Sequence, residues 1–187
     1  MIIYADTNII ISFFDVTDPL REKLHRIFSQ PNMDFVTGAI TVLEFEAIMA
    51  RQWFAGQFQF DTQVETEIKA LTAPTQVYAL TELCFRKISV RIIPASGTET
   101  FWLNSVEYKM DGTITMSLKL CPHIRLRTLD MIQIASALKI KTYESIDIQY
   151  LLTQDQTILQ RGNEINKYTQ ILPISCQELY SLLKLSP

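Results

Sequence analysis

The chain has little glycine and little histidine. Five glycines occur in 187 residues. None of them forms a Gly-x-Gly-x-x-Gly or Walker A loop, so a backbone cradle for nucleotide phosphates is not expected. The three cysteines, Cys84, Cys121 and Cys176, include no Cys-x-x-Cys pair. An odd, scattered set argues against a disulfide framework and fits a reduced cytoplasm. No apolar run reaches the length of a membrane span, so no membrane partner is expected. The N-terminus has neither a basic flank nor a small-residue cleavage site, so it does not read as a signal peptide. A basic excess is missing too: 17 Lys and Arg stand against 20 Asp and Glu, a net charge of −3. That is not the electrostatic footprint of a tight nucleic-acid binder. It leaves room for a nuclease whose acidic site meets phosphate through metal ions.

The length fits one domain, residues 1–187, with enough chain to bury a sizeable core. Hydrophobic residues make up 48% and charged residues 20%, ordinary globular proportions. The chain is organised around its first stretch. A short apolar run, Met1-Ile-Ile-Tyr-Ala, stops at Asp6-Thr7-Asn8, and a second apolar run begins. The first run is too short for a helix and reads as a buried strand. Asp6 then sits where a strand ends and a helix starts, the edge at which open parallel α/β sheets bind ligands.

Further along, Asn8 to Phe14 and Leu20 to Ser29 read as helices and Asp34 to Gly38 as a strand. Thr41 to Phe54 reads as an amphipathic helix opened by a capping box, Thr41-x-x-Glu44. Thr62 to Leu71 and Thr75 to Lys87 are expected to be helical, and Val90 to Ile93, ended by Pro94, a third strand. Phe101, Val106 and Met110 suggest a helix over Thr98 to Lys109. Thr113 to Leu120 alternates enough to suggest a strand or an extended loop. Leu129 to Ile140 is apolar over more than half its circumference, which predicts a helix buried against a sheet. Ile146 to Thr153 and Gln170 to Ile174 read as the fourth and fifth strands, Gln156 to Arg161 as a short helix, and Cys176 to Leu185 as a closing one. Strands alternate with helices throughout. The expected fold is therefore α/β, a three-layer α/β/α sandwich around a mainly parallel sheet of about five strands.

Four acids fall at matching places in this scheme. Asp6 and Asp155 end strands, and Glu44 and Asp130 lie in the first turns of helices. In a right-handed parallel arrangement these places share one edge of the sheet. Carboxylates held close together repel one another, and a hard divalent cation relieves that repulsion. With only His25 and His123 available as imidazoles, Mg²⁺ or Mn²⁺ suits such a set better than zinc.

Ala5-Asp6-Thr7-Asn8, Thr41-Val-Leu-Glu44, Arg127-Thr-Leu-Asp130-Met-Ile-Gln-Ile-Ala135-Ser-Ala137 and Leu152-Thr153-Gln-Asp155 resemble, in order and spacing, the motifs of PIN-domain ribonucleases. The resemblance runs from Met1 to about Ile174. It implies a metal-dependent endoribonuclease acting on single-stranded RNA, with Asp6, Glu44, Asp130 and Asp155 around Mg²⁺ or Mn²⁺. Thr7 or Asn8 and Thr153 would assist by hydrogen-bonding a carboxylate or a metal-bound water. It also implies a VapC-like toxin of a toxin–antitoxin pair, usually a homodimer silenced by an antitoxin. The chain is longer than most such toxins, with the added length around Tyr108 to Arg125.

Each acid also has a plain reading. Asp6 caps a helix, Glu44 completes a capping box, Asp130 complements a helix dipole, and Asp155 is a turn or cap residue. The cations Lys119, His123, Arg125 and Arg127 approach Asp130, and among them Arg125 and Arg127 are candidates for holding RNA phosphates; a solvated loop explains them equally well. Trp53, Phe54, Phe58 and Phe60 could stack bases, but read more readily as core or as a partner groove. Two other functions stay open: a PIN-like domain without catalysis that binds RNA or protein, and a phosphotransferase with Asp6 as nucleophile. The second would need another acid two residues on, where Asn8 stands.

Overall fold

The computed structural model describes residues 1–94 and 97–185. In chain order the elements are β1 (Ile2–Ala5), α1 (Thr7–Phe14), α2 (Arg21–Phe28), β2 (Asp34–Gly38), α3 (Ala39–Gln52), α4 (Thr62–Lys69), α5 (Ala73–Lys87) and β3 (Val90–Ile93). There follow β4 (Thr98–Leu103), β5 (Val106–Asp111), α6 (Gly112–Ile124), α7 (Thr128–Tyr143), β6 (Ile148–Leu152), α8 (Gln156–Gln160), α9 (Gly162–Thr169), β7 (Leu172–Ile174) and α10 (Cys176–Leu182). Five strands form one sheet in the order β3-β2-β1-β6-β7, and every neighbouring pair is parallel. The expected sandwich around a five-stranded parallel sheet is what the chain folds into.

The alternation of side chains along a strand divides the core between the two faces of the sheet. Ile3 and Ala5 of β1 pack into one apolar cluster with Ile9 and Ile10 of α1, Leu24 of α2, Phe45 of α3, Leu80 of α5 and Leu179 of α10. Tyr4, between them in sequence, faces the opposite layer, with Leu120 and Ile124 of α6, Met131 and Ile134 of α7, and Ile165 of α9. Each large aliphatic side chain fully removed from water contributes about 1.5–3 kcal/mol. The N-terminal strand is therefore held from both sides. Among the described residues no helix is long and apolar enough to cross a membrane.

β1 lies at the centre of the sheet. Chain order runs outward from it through β2 to β3 on one side, and through β6 to β7 on the other. The gap between the carboxyl ends of β1 and β6 is thus the topological switch point, where α/β sheets bind ligands. Gly38, at the end of β2, lets α3 start close against α7. A Cβ there would lie 2.1 Å from Ser136 Oγ and 3.1 Å from the Tyr4 hydroxyl.

The structure differs from expectation in four places, one of them the helix α9, which forms over Gly162–Thr169 where the sequence suggested that the preceding short helix simply stops. Residues 98–111 form an antiparallel hairpin rather than a helix. Its turn, Asn104-Ser105, has positive φ at both residues, the backbone that a two-residue hairpin connection requires. Phe101 pairs across the ribbon with Tyr108, and Met110 with Glu99, so the apolar residues share one face of a ribbon instead of one stripe of a helix. Residues 113–120 are helical, within α6. Asp111 caps that helix, accepting from the Thr113 and Ile114 N–H groups at 2.8 and 3.2 Å. The hydroxyls of Thr115 and Ser117 bond back to the carbonyls of Asp111 and Thr113, so these polar residues are satisfied inside a helix. Fourth, α3 begins at Ala39 with Gly38 as its N-cap and no side-chain cap, so Glu44 sits in the second turn and no capping box forms. Of the four aromatics in the second quarter, Trp53, Phe58 and Phe60 are core, whereas Phe54 is exposed.

Candidate active site

Asp6 follows the last residue of β1 and caps α1. Its Oδ1 accepts the Thr7 N–H at 2.7 Å. Its Oδ2 accepts from Asn8 Nδ2 at 2.8 Å and from Thr153 Oγ1 at 2.6 Å. Asp6 as a residue is 5% exposed. Burial pushes its pKa from the ordinary 3.8 to about 6; the bonds from Thr153 and Thr7 pull the other way, and the nearby Glu44 and Asp130 charges add to the rise. Desolvation dominates because an ionised carboxylate loses most when removed from water.

The other three acids reach the same cavity, of about 330 Å³, lined by Asp6, Thr7, Asn8, Glu44, Arg127, Asp130, Gln133 and Asp155 with Ile48, Leu129 and Ile158. Glu44 Oε2 accepts from Thr7 Oγ1 at 2.5 Å and from Gln133 Nε2 at 2.7 Å. Asp130, in the first turn of α7, accepts from Arg127 Nε at 3.0 Å. Asp155 caps α8 through the Thr157 N–H at 2.7 Å and also accepts from Arg127 at 2.8 Å. Arg127 thus bridges two of the four carboxylates with a side chain that is 70% exposed. Its bonds to Asp130, with the charges of Asp130 and Asp155, raise its pKa further above the ordinary arginine value.

The structure therefore brings Asp6, Glu44, Asp130 and Asp155 to one cavity at the carboxyl edge of the sheet, with Thr7 and Asn8 on its wall. Thr153 stands behind Asp6 as a buried hydroxyl. Arg125 is not part of the cavity: it ends α6 in the left-handed conformation, exposed, with its Nε 3.4 Å from the Pro122 carbonyl. Two residues have roles that the sequence did not suggest: Arg127, expected only as a candidate for RNA phosphates, and Gln133. Arg127 is the cation between Asp130 and Asp155. Gln133 is buried one turn beyond Asp130; its Oε1 accepts from Tyr4 at 2.8 Å and Thr41 at 3.0 Å, and its Nε2 donates to Thr7 at 3.0 Å as well as to Glu44. The available signal was a lone glutamine inside the apolar run Met131-Ile132-Gln133-Ile134-Ala135, at helical spacing from Asp130.

No protein-family profile matches the chain, and no curated protein matches it in sequence. Among solved structures, the chain is similar to one from the VapBC2 complex of Rickettsia felis bound to a DNA fragment from its promoter. The likeness spans 94% of this chain and 98% of that one, with a TM-score of 0.50 and 12% identity. The similarity is one of fold: the five-stranded parallel sheet flanked by helices is of the PIN-like three-layer kind.

The donor chemistry fits a hard divalent ion, because the acids lining the cavity are all carboxylates and neither histidine nor cysteine is among its lining residues. A buried carboxyl kept near pH 6 partly by like charges is a place where a cation would be stabilised. The present side-chain positions fit less well. Among the described residues no three acid, histidine or cysteine side chains are gathered so that one ion could join them. Arg127 holds Asp130 and Asp155 meanwhile, so an ion entering the cavity would compete with its guanidinium.

Proposed function

We propose that this chain is a Mg²⁺- or Mn²⁺-dependent endoribonuclease acting on single-stranded RNA, and the toxin of a toxin–antitoxin pair. The observation that carries this reading is the convergence of Asp6, Glu44, Asp130 and Asp155 on one cavity at the switch point of a parallel sheet. The fold likeness to a chain of a VapBC complex supports the toxin assignment and an antitoxin partner.

In this reading Asp6, Asp130 and Asp155 would hold the ion, with Glu44 contributing from α3. The ion, when bound, activates a water for attack on the phosphodiester and stabilises the leaving oxygen. The protein's part is positioning. Asn8 and Thr153 fix the outer oxygen of Asp6, so its lone pairs are aimed rather than free to rotate. Thr7 and Gln133 do the same for Glu44. Arg127, an exposed cation beside Asp130 and Asp155, would offer its guanidinium to an RNA phosphate at the cavity. The decisive experiment compares RNA cleavage by wild type, Asp6→Asn and Asp130→Asn with Mg²⁺ or Mn²⁺ added. Both variants should lose nearly all activity; cleavage at the wild-type rate would refute the proposal.

One observation favours a second reading, a binding domain without catalysis. Arg127 already neutralises two of the four acids, and no ready-made cluster of three metal ligands stands among the described residues. Calorimetric titration with Mn²⁺ separates the two: no measurable binding favours this second reading.

A further inference from the structure

Among the described residues, the hydrogen bonds that tie the β4–β5 ribbon to the body lie at its base. There Glu99 accepts from Lys119 Nζ at 3.0 Å and from the Tyr143 hydroxyl at 3.1 Å, and the Gly112 N–H donates to the Gly97 carbonyl at 2.9 Å. The outer half stands in solvent: Trp102 is 62% exposed and Tyr108 45%, with Leu103 and Val106 also half exposed. A two-stranded ribbon is marginal by itself, and its unpaired edges are templates for a further strand.

The turn fixes which backbone groups are free. Leu103 pairs with Val106 across the two-residue turn, so Leu103–Val106 and Phe101–Tyr108 are the hydrogen-bonded pairs of the ladder. The N–H and C=O groups of Glu107 and Lys109 then point outward along the open edge of β5.

We infer that β5 is a dimerisation edge. Two copies of this chain join by antiparallel pairing of their β5 strands about a twofold axis at Tyr108. The strand is self-complementary in that register. Glu107 of one copy stands opposite Lys109 of the other, twice, and these are the residues whose backbone groups face outward. On the other face of the ribbon, Tyr108 meets Tyr108, and Val106 meets Met110. Opposite charges and apolar side chains facing each other stabilise an antiparallel pair, whereas like charges oppose it. Moving the axis by one residue sets Glu107 against Glu107, or Lys109 against Lys109. The β4 edge has no such match, since its outward residues, Thr100 and Trp102, carry no charge. The pairing makes an isologous four-stranded sheet and extends the apolar face of Phe101, Tyr108 and Met110 across both copies.

Sedimentation equilibrium over a concentration series tests this. Wild type should associate to twice the chain mass. Lys109→Glu, which sets like charges opposite each other, should be monomeric. The double variant Glu107→Lys, Lys109→Glu restores the complementarity and should dimerise again. A second test uses cross-linking. Neighbours across a non-hydrogen-bonded antiparallel pair have Cα atoms about 4.5 Å apart, within disulfide reach. Tyr108→Cys, made with Cys121→Ser because Cys121 is exposed, should oxidise to a covalent dimer, and Trp102→Cys in the same background should not. A wild type that is monomeric throughout overturns the inference. So does a dimer indifferent to Lys109→Glu that fails to cross-link through position 108, since that dimer uses another face.

Discussion

Asp6→Asn is the most informative substitution, because it should make the metal-free protein less stable in acid and more stable at neutral pH and above. The Asp6 carboxyl titrates near 6 in the folded chain against an ordinary 3.8, chiefly because it is buried. The pKa is raised on folding, so the folded state binds the proton more tightly than the unfolded state does. The associated stability is fully present below 3.8 and is lost as pH rises through 6. Once both states are ionised, the loss is about 3 kcal/mol, at 1.36 kcal/mol per pH unit. Asparagine carries no charge and escapes this loss. It introduces one mismatch instead: Asp6 accepts from Thr7, Asn8 and Thr153, and an amide NH₂ must face one of these donors, at a cost of about 1–3 kcal/mol. The mismatch is the same at every pH, so it cancels in a comparison. Urea unfolding with a chelator present should show the stability of Asp6→Asn, relative to wild type, rising by roughly 2 kcal/mol between pH 4.5 and 8. A difference that stays flat over that range would refute the argument, because the buried carboxyl would then cost the folded state nothing. Adding Mn²⁺ should reverse the order at pH 8, since an ion that binds only the folded wild type stabilises it by mass action.

Three further substitutions probe the surroundings. Arg127→Ala removes the cation that Asp130 and Asp155 share; Mn²⁺ affinity by calorimetry should rise a few-fold, and unchanged or weaker binding would show that the guanidinium does not compete with the ion. Gln133→Leu deprives the Tyr4 and Thr41 hydroxyls of their shared acceptor and takes one of two donors from Glu44; chemical denaturation should show a loss of about 1–3 kcal/mol, and a variant as stable as wild type would mean that the network is dispensable. Gly38→Ala drives a methyl group into Ser136 Oγ and should cost about 1–3 kcal/mol; adding Ser136→Ala should recover most of that cost, and no recovery would place the strain elsewhere.

The sheet was legible because its strands are short apolar runs with abrupt ends. Ile2–Ala5 stops at Asp6, and Val90–Ile93 stops at Pro94, and neither run is long enough to compete as a helix. The segment from Thr98 to Ile124 was misread for a physical reason. Phe101, Val106 and Met110 are spaced in a way that suits a helical stripe, yet they also fall on one face of a ribbon folded at Asn104-Ser105. Both arrangements gather the same residues on one face, and only the turn tells them apart. Thr113-Ile-Thr-Met-Ser117 has strand-like composition, but the cap on Asp111 and the back-bonding hydroxyls make it helical. These are local contacts that a pattern of hydrophobicity does not register.

The acids were legible as positions and not as partners. Thr41-x-x-Glu44 has the form of a capping box, and whether it acts as one depends on where the helix starts. With the start at Ala39, Thr41 points into the contact with α7 and Glu44 reaches the cavity, so residues suited to a cap become a link between α3 and α7 through Gln133. Asp6 makes the converse point. Its Oδ1 does cap α1, as the plain reading held, while its Oδ2 is fixed by the neighbouring Asn8 and by Thr153 from a distant part of the chain. A carboxylate needed only as a cap is ordinarily left solvated, where it keeps a low pKa and the capping bond together. Burying this one at the switch point of the sheet raises its pKa to about 6 and costs stability at neutral pH. That cost is unexplained by capping. It is explained if the folded protein ordinarily meets a cation there, and this is why the pH dependence of Asp6→Asn, measured with and without Mn²⁺, separates the two roles.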